Sequence, residues 1–182
     1  MKTENNVVYV LRIALTLLII TALVAALLSV VNGITAPIIE KLTWEKTQNA
    51  IRAVLPGGGQ EVEFTDSTGI VQTVYKGEEG YAVQVAPVGF DGEITMMVGV
   101  SNDGKVLGIS VISQTETAGL GAVCAATTSA GAAFRDQFIG MSGTLAVTKD
   151  GGTVDAITSA TITSRAVTAG VNAALDCVAN FG

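Results

Sequence analysis

The chain of 182 residues contains no histidine. That absence excludes Ser-His-Asp and Cys-His catalysis, His-ligated zinc and haem with an axial histidine. Cysteine is nearly missing too. Cys124 and Cys177 are the only two, and they cannot supply the four thiolates of an iron–sulfur cluster from this chain. Charged residues make up only 14%, against about 25% in soluble domains. The basic ones are the scarcer, 10 Lys and Arg against 16 Asp and Glu, for a net charge of −6. No basic surface is on offer for a phosphate backbone, so nucleic acid is not an expected partner. What fills the space is apolar, 49% of all residues. The length suits one ordinary domain with an appendage.

The appendage is at the start. Ile13–Val31 reads IALTLLIITALVAALLSVV, with no charge. At 1.5 Å per residue it spans about 28 Å, close to the hydrocarbon thickness of a bilayer. Its few polar members, Thr16, Thr21 and Ser29, can bond back to the helix backbone, and Arg12 can snorkel to the headgroups. The run exceeds the usual signal-peptide core of about 7–15 residues, which favours a retained anchor over a cleaved leader. Lys and Arg are balanced around it, so charge alone barely orients it. A short tail before the span and a long, predominantly acidic stretch after it suit a cytoplasmic N-terminus and an exported domain. The expected organisation is a tail over 1–12, a transmembrane helix over 13–36, a connector over 37–60 and a globular domain over 61–182.

Pro37 is expected to break the first helix. Trp44, Gln48, Ile51 and Leu55 then recur at helical spacing, with Trp44 either at the membrane interface or anchoring a core. Pro56-Gly57-Gly58-Gly59 ends that helix. Four strands are expected over 70–75, 80–85, 94–100 and 106–112, the last two joined by the turn Asn102-Asp103-Gly104-Lys105. The Ala-rich stretch 121–138 predicts a helix, which Gly131 weakens. Thr144–Lys149 predicts a strand closed by Asp150-Gly151-Gly152. A final helix is expected over 164–180, with Val167, Val171, Leu175 and Val178 as its buried stripe. The fold class is therefore α+β, one N-terminal transmembrane helix followed by a small antiparallel sheet with packed helices.

Two segments carry the chemistry. Asp155-Ala156-Ile157-Thr158-Ser159-Ala160-Thr161-Ile162-Thr163-Ser164 places five hydroxyls just before the last helix. They either cap the helix or sit where its free amides and dipole favour a phosphate. Glu116-Thr117-Ala118-Gly119-Leu120-Gly121 joins a strand to a helix, and its glycines let the backbone approach a flat ligand. Cys124 and Cys177 are either a disulfide or two buried thiols.

Together these segments resemble the covalent-flavin domain of the G-type subunit of the Rnf electron transport complex. The same domain is shared with the C-type subunit of the sodium-pumping NADH:quinone oxidoreductase. The family pattern Asp-x-x-(Ser/Thr)-Gly-Ala-(Ser/Thr) falls on Asp155–Thr161, and the family loop Glu-Thr-Pro-Gly-Leu-Gly falls on Glu116–Gly121. The resemblance implies an FMN-binding domain with FMN joined to Thr161 through a phosphoester. Thr158, Ser159, Ala160, Ile162 and Thr163 would surround the link, with Glu116, Thr117, Gly119, Leu120 and Gly121 around the ring. A separate flavin transferase would read Asp155, Thr158 and Ala160. The resemblance further implies an electron-transfer subunit of an ion-translocating ferredoxin:NAD oxidoreductase in the cell membrane. The flavin domain would lie outside the cytoplasm, beside other membrane and redox subunits. The compact length favours the G-type over the C-type family member. A stand-alone FMN carrier and a non-redox scaffold are the alternatives. Ser159 replaces the family glycine, and a tight turn there asks a serine for φ > 0. Ala118 replaces a proline.

Overall fold

The computed structural model describes residues 3–66 and 68–181. Two compact units divide the chain, Met1–Glu45 and Lys46–Gly182. Helix α1, Thr3–Val54, supplies the first unit and enters the second. It is long and apolar enough to cross a membrane, with a mean hydropathy of 2.8 in its most apolar window. Leu11, Leu18, Leu23 and Leu28 are all more than half exposed, as a lipid-facing helix requires. Thr16 and Thr21 bond to the carbonyls of Arg12 (2.8 Å) and Leu17 (2.9 Å), so their hydroxyls stay satisfied without water.

The helix does not break at Pro37. It runs through the proline to Val54. A proline removes one backbone bond and crowds the carbonyl four residues back, which here belongs to Gly33, where a Cβ would meet nothing within 4 Å. Neighbouring turns carry the helix across such a defect. Trp44 stands 65% exposed.

The second unit is an α+β domain. Five antiparallel strands form a meander in chain order: β1 Gln60–Val62, β2 Val71–Lys76, β3 Gly80–Val85, β4 Thr95–Ser101 and β5 Val106–Ser113. The expected hairpin is β4–β5, with Val98 opposite Ile109. The short edge strand β1 had no alternation long enough to announce it.

Alternation assigns the two faces of the sheet. Tyr81, Val83 and Val85 of β3 and Met96, Val98 and Val100 of β4 face the main core, with α3 (Thr161–Ala179). Val167, Val171, Leu175 and Val178 complete that core. Ala82 and Met97 face the other way, onto Ala50, Ile51, Val54 and Leu55 at the end of α1. Gly99 permits this approach, because a Cβ there would meet Val54 Cβ at 2.8 Å.

Two expectations fail for tertiary reasons. The stretch 121–138 is not one helix but a 3₁₀ turn, Gly121–Ala125, and a short helix α2, Ser129–Asp136. Arg135 Nη1 donates to the carbonyls of Cys124 (2.8 Å) and Ala126 (3.0 Å). Thr128 caps α2 by accepting from the Gly131 amide. These bonds satisfy the groups that a continuous helix would have used. Thr144–Lys149 forms no strand. Both side-chain amide groups of Asn172 on α3 bond the backbone of Leu145 at 2.8 Å. Val147 makes one parallel bridge to Val154, and Thr148–Asp150 closes as a 3₁₀ turn.

Candidate functional site

The site forms where three loops meet the start of α3. The β3–β4 connection turns at Gly89–Gly92, where the Gly89 amide donates to the Gly92 carbonyl at 2.7 Å. Phe90 projects from this turn, 67% exposed. The loop after β5 brings in Glu116, which is 6% exposed. Its Oε1 accepts from the amides of Phe90 (2.8 Å) and Asp91 (3.0 Å). Its Oε2 accepts a short bond from the Thr163 hydroxyl on α3. One buried side chain thus ties all three segments, and its lone pairs are met. Gly121 is required beside it, since a Cβ would overlap both Glu116 Oε2 and Thr163 Oγ1.

The hydroxyls before α3 do not cap it. The N-cap residue is Ala160, with no side-chain cap bond. Ser164 Oγ accepts from the Ile157 amide and donates to the Ala160 carbonyl, both at 2.9 Å. Thr163 and Ser164 are buried, whereas Thr158 and Ser159 are exposed and Thr161 is half-buried. Ser159 takes φ 61 and is the only non-glycine with positive φ among the described residues. This is the positive φ that the resemblance leads us to expect of Ser159. Gln137 pins the stretch further back, accepting from the Asp155 amide at 2.8 Å and donating to its carbonyl at 3.2 Å.

A cavity of about 330 Å³ lies over this junction. Glu116, Thr117, Leu120, Gly121, Ser159, Ala160, Thr161, Ile162 and Thr163 line it, together with Phe90. Two residues expected at the site face elsewhere. Gly119 and Thr158 line a second cavity of about 560 Å³, shared with Phe134, Gln137 and Asp155.

The first cavity has both apolar and polar lining. Phe90, Leu120 and Ile162 offer exposed apolar surface at 67%, 41% and 50%. Its polar lining includes Thr161 and the uncapped start of α3, and Lys149, outside the lining, donates from Nζ to Thr161 Oγ1 at 2.9 Å. Two of these residues escape sequence reasoning. Phe90 sits in an ordinary Gly-flanked turn, and Lys149 lies 12 positions before Thr161 with no pattern linking them.

The known proteins resolve the family. Residues 89–176 match the FMN-binding domain model. The G-type subunit of the Na(+)-translocating ferredoxin:NAD(+) oxidoreductase complex of Acetobacterium woodii is 33% identical, over 99% of this chain and 97% of that protein. The chain belongs to the family of Rnf G-type subunits. Its counterpart in the ion-translocating oxidoreductase complex of Methanosarcina acetivorans is 32% identical over 92% of this chain and 93% of its own length. The counterpart in the proton-translocating ferredoxin:NAD(+) oxidoreductase complex of Clostridium ljungdahlii is 40% identical over 56% of this chain and 54% of its own.

As a member of the Rnf G-type family, this chain is a membrane-anchored FMN protein, and the site's chemistry fits that group. An apolar wall suits a flat aromatic ring, and free amides with an ammonium suit a phosphate. When bound, FMN supplies one- and two-electron transfer. Cys124 and Cys177 are both free and buried, which decides between the two readings of the pair. Burial, aided by the nearby charge of Glu116, pushes the Cys124 thiol up to about 11. Burial also raises Cys177. Neither is a reactive thiolate near neutral pH.

Proposed function

We propose that FMN is held covalently on Thr161 through a phosphoester, and that the chain passes electrons within an ion-translocating ferredoxin:NAD oxidoreductase complex. The observation that carries this is the environment of one hydroxyl. Thr161 is half-buried, lines the cavity and meets a cation through its Oγ1. Thr163 is committed to Glu116 and Ser164 to two backbone groups. Thr158 and Ser159 are open to solvent, but Thr158 faces the other cavity and Ser159 is held in the strained turn.

A separate flavin transferase would install the group from flavin adenine dinucleotide. The Thr161 Oγ–P bond forms as the pyrophosphate P–O bond breaks. AMP leaves with the bridging oxygen, the hydroxyl proton is released, and no atom is oxidised. The exposed Asp155 and Thr158, held on a pinned backbone, supply a surface for that enzyme to read. The organisation is the tail, span and connector over 1–12, 13–36 and 37–60, then the flavin domain over 61–182, with the end of α1 in its core. The acidic balance of the domain supports an extracytoplasmic position. The other redox and membrane subunits, with their ferredoxin and NAD sites, are its partners.

The test is denaturing electrophoresis of the full chain coexpressed with a flavin transferase. A band fluorescing under ultraviolet light is expected, with an intact-mass gain of FMN less water. It should vanish in Thr161→Ala and Thr161→Val, and persist in Thr161→Ser and Thr163→Ala. A dark wild-type band would remove the covalent link and favour a scaffold.

A further inference from the structure

Lys149 is the cation nearest the proposed attachment point, and its setting is specific. It lies in the Thr148–Asp150 turn, which the Val147–Val154 bridge and the amide of Gly152, donating to the Val147 carbonyl at 3.1 Å, hold in place. The adjacent carboxylate, Asp150, is occupied. Arg165 of α3 grips it with two donors, Nε at 2.6 Å and Nη2 at 2.5 Å. This fork docks the turn on the second turn of α3, and it spends the charge of Asp150 on Arg165 rather than on Lys149. Among the described residues no carboxylate forms an ion pair with Lys149. Its Nζ donates instead to Thr161 Oγ1 at 2.9 Å.

We infer that Lys149 is the counter-ion of the phosphodiester formed on Thr161, a positioning residue for both the attachment and the attached group. The inference rests on the Thr161 reading. The ammonium occupies one lone pair of the hydroxyl oxygen and leaves the other free to meet phosphorus. Once the ester forms, that oxygen bridges to phosphorus, and the diester's single negative charge lies one bond further on, within reach of the same ammonium. A lysine is a point charge on a flexible stem, able to follow this small displacement. Charge that develops on the phosphate during transfer meets a cation already in position. The Asp150–Arg165 fork keeps that cation from being neutralised by its own neighbour.

The experiment follows flavin attachment to the detergent-solubilised full chain, using purified flavin transferase and flavin adenine dinucleotide. Wild type, Lys149→Met, Lys149→Arg and Thr161→Ala are compared by fluorescent-band time course and by the ³¹P resonance of the loaded products. Lys149→Met should slow attachment about tenfold, the scale of one charge-assisted hydrogen bond. Its loaded product should show a displaced ³¹P resonance, and Lys149→Arg should recover most of the rate. Lys149 is exposed, so the thermal midpoint of the unloaded Met variant should match wild type. A wild-type rate and resonance in Lys149→Met would overturn the inference. Equal slowing by Met and Arg would do the same, because charge would then not matter. Flavin retained in Thr161→Ala would instead overturn the attachment point itself.

Discussion

The hydroxyl of Thr163 donates to the carboxylate of Glu116 across 47 positions of sequence, inside the protein. This bond joins the loop after β5 to the first turn of α3, while the other oxygen of Glu116 holds the amides of Phe90 and Asp91. Removing the carboxylate leaves three donors without their acceptor, the buried Thr163 hydroxyl among them. Glu116→Ala should therefore cost about 3 kcal/mol, a fall of about 10 °C in the thermal midpoint of the solubilised chain. Glu116→Gln should cost less than half as much. Its oxygen can face the two amides while its NH₂ donates to Thr163. Equal losses in the two variants would show that the side chain acts by packing alone.

Ser159 carries a strain that its neighbours hold in place. At φ 61 a residue with a Cβ loses about 1–2 kcal/mol relative to glycine, partly offset by the greater freedom glycine gains when unfolded. Ser159→Gly should raise stability by about 0.5–1 kcal/mol, seen as a rise of about 2–4 °C. Ser159→Val should lower it. The same pair tests whether the turn governs flavin attachment, since the Gly variant should load at least as fast as wild type.

Cys124 sets an alkaline limit. Its thiol is raised to about 11 in the fold, chiefly by burial, and titrates near its ordinary value once unfolded. Between those values the folded chain holds a proton that the unfolded chain has lost, so stability falls as pH rises through that window. Cys124→Ala should flatten this decline between about pH 8.5 and 11 when unfolding is followed in denaturant. Near neutral pH the folded thiol should resist alkylation, and only unfolding should expose it.

The sequence alone determined the elements whose signal is local. The uncharged run of α1, the alternation of β2 to β5, the turn at Asn102–Lys105 and the stripe of α3 are each legible because the burying partner is implied by the period itself. The Glu116 and Asp155 motifs likewise marked the two segments that meet. Tertiary structure decided everything that depends on a distant partner. Arg135 ends the 3₁₀ turn that composition reads as helix, and Asn172 takes the backbone of Leu145 that alternation reads as strand. It also decided among the hydroxyls. Thr161 and Thr163 look equivalent in the chain, but two residues on a helix turn a side chain by about 200°. Both line the cavity, but one hydroxyl accepts from Lys149 and the other is buried against Glu116.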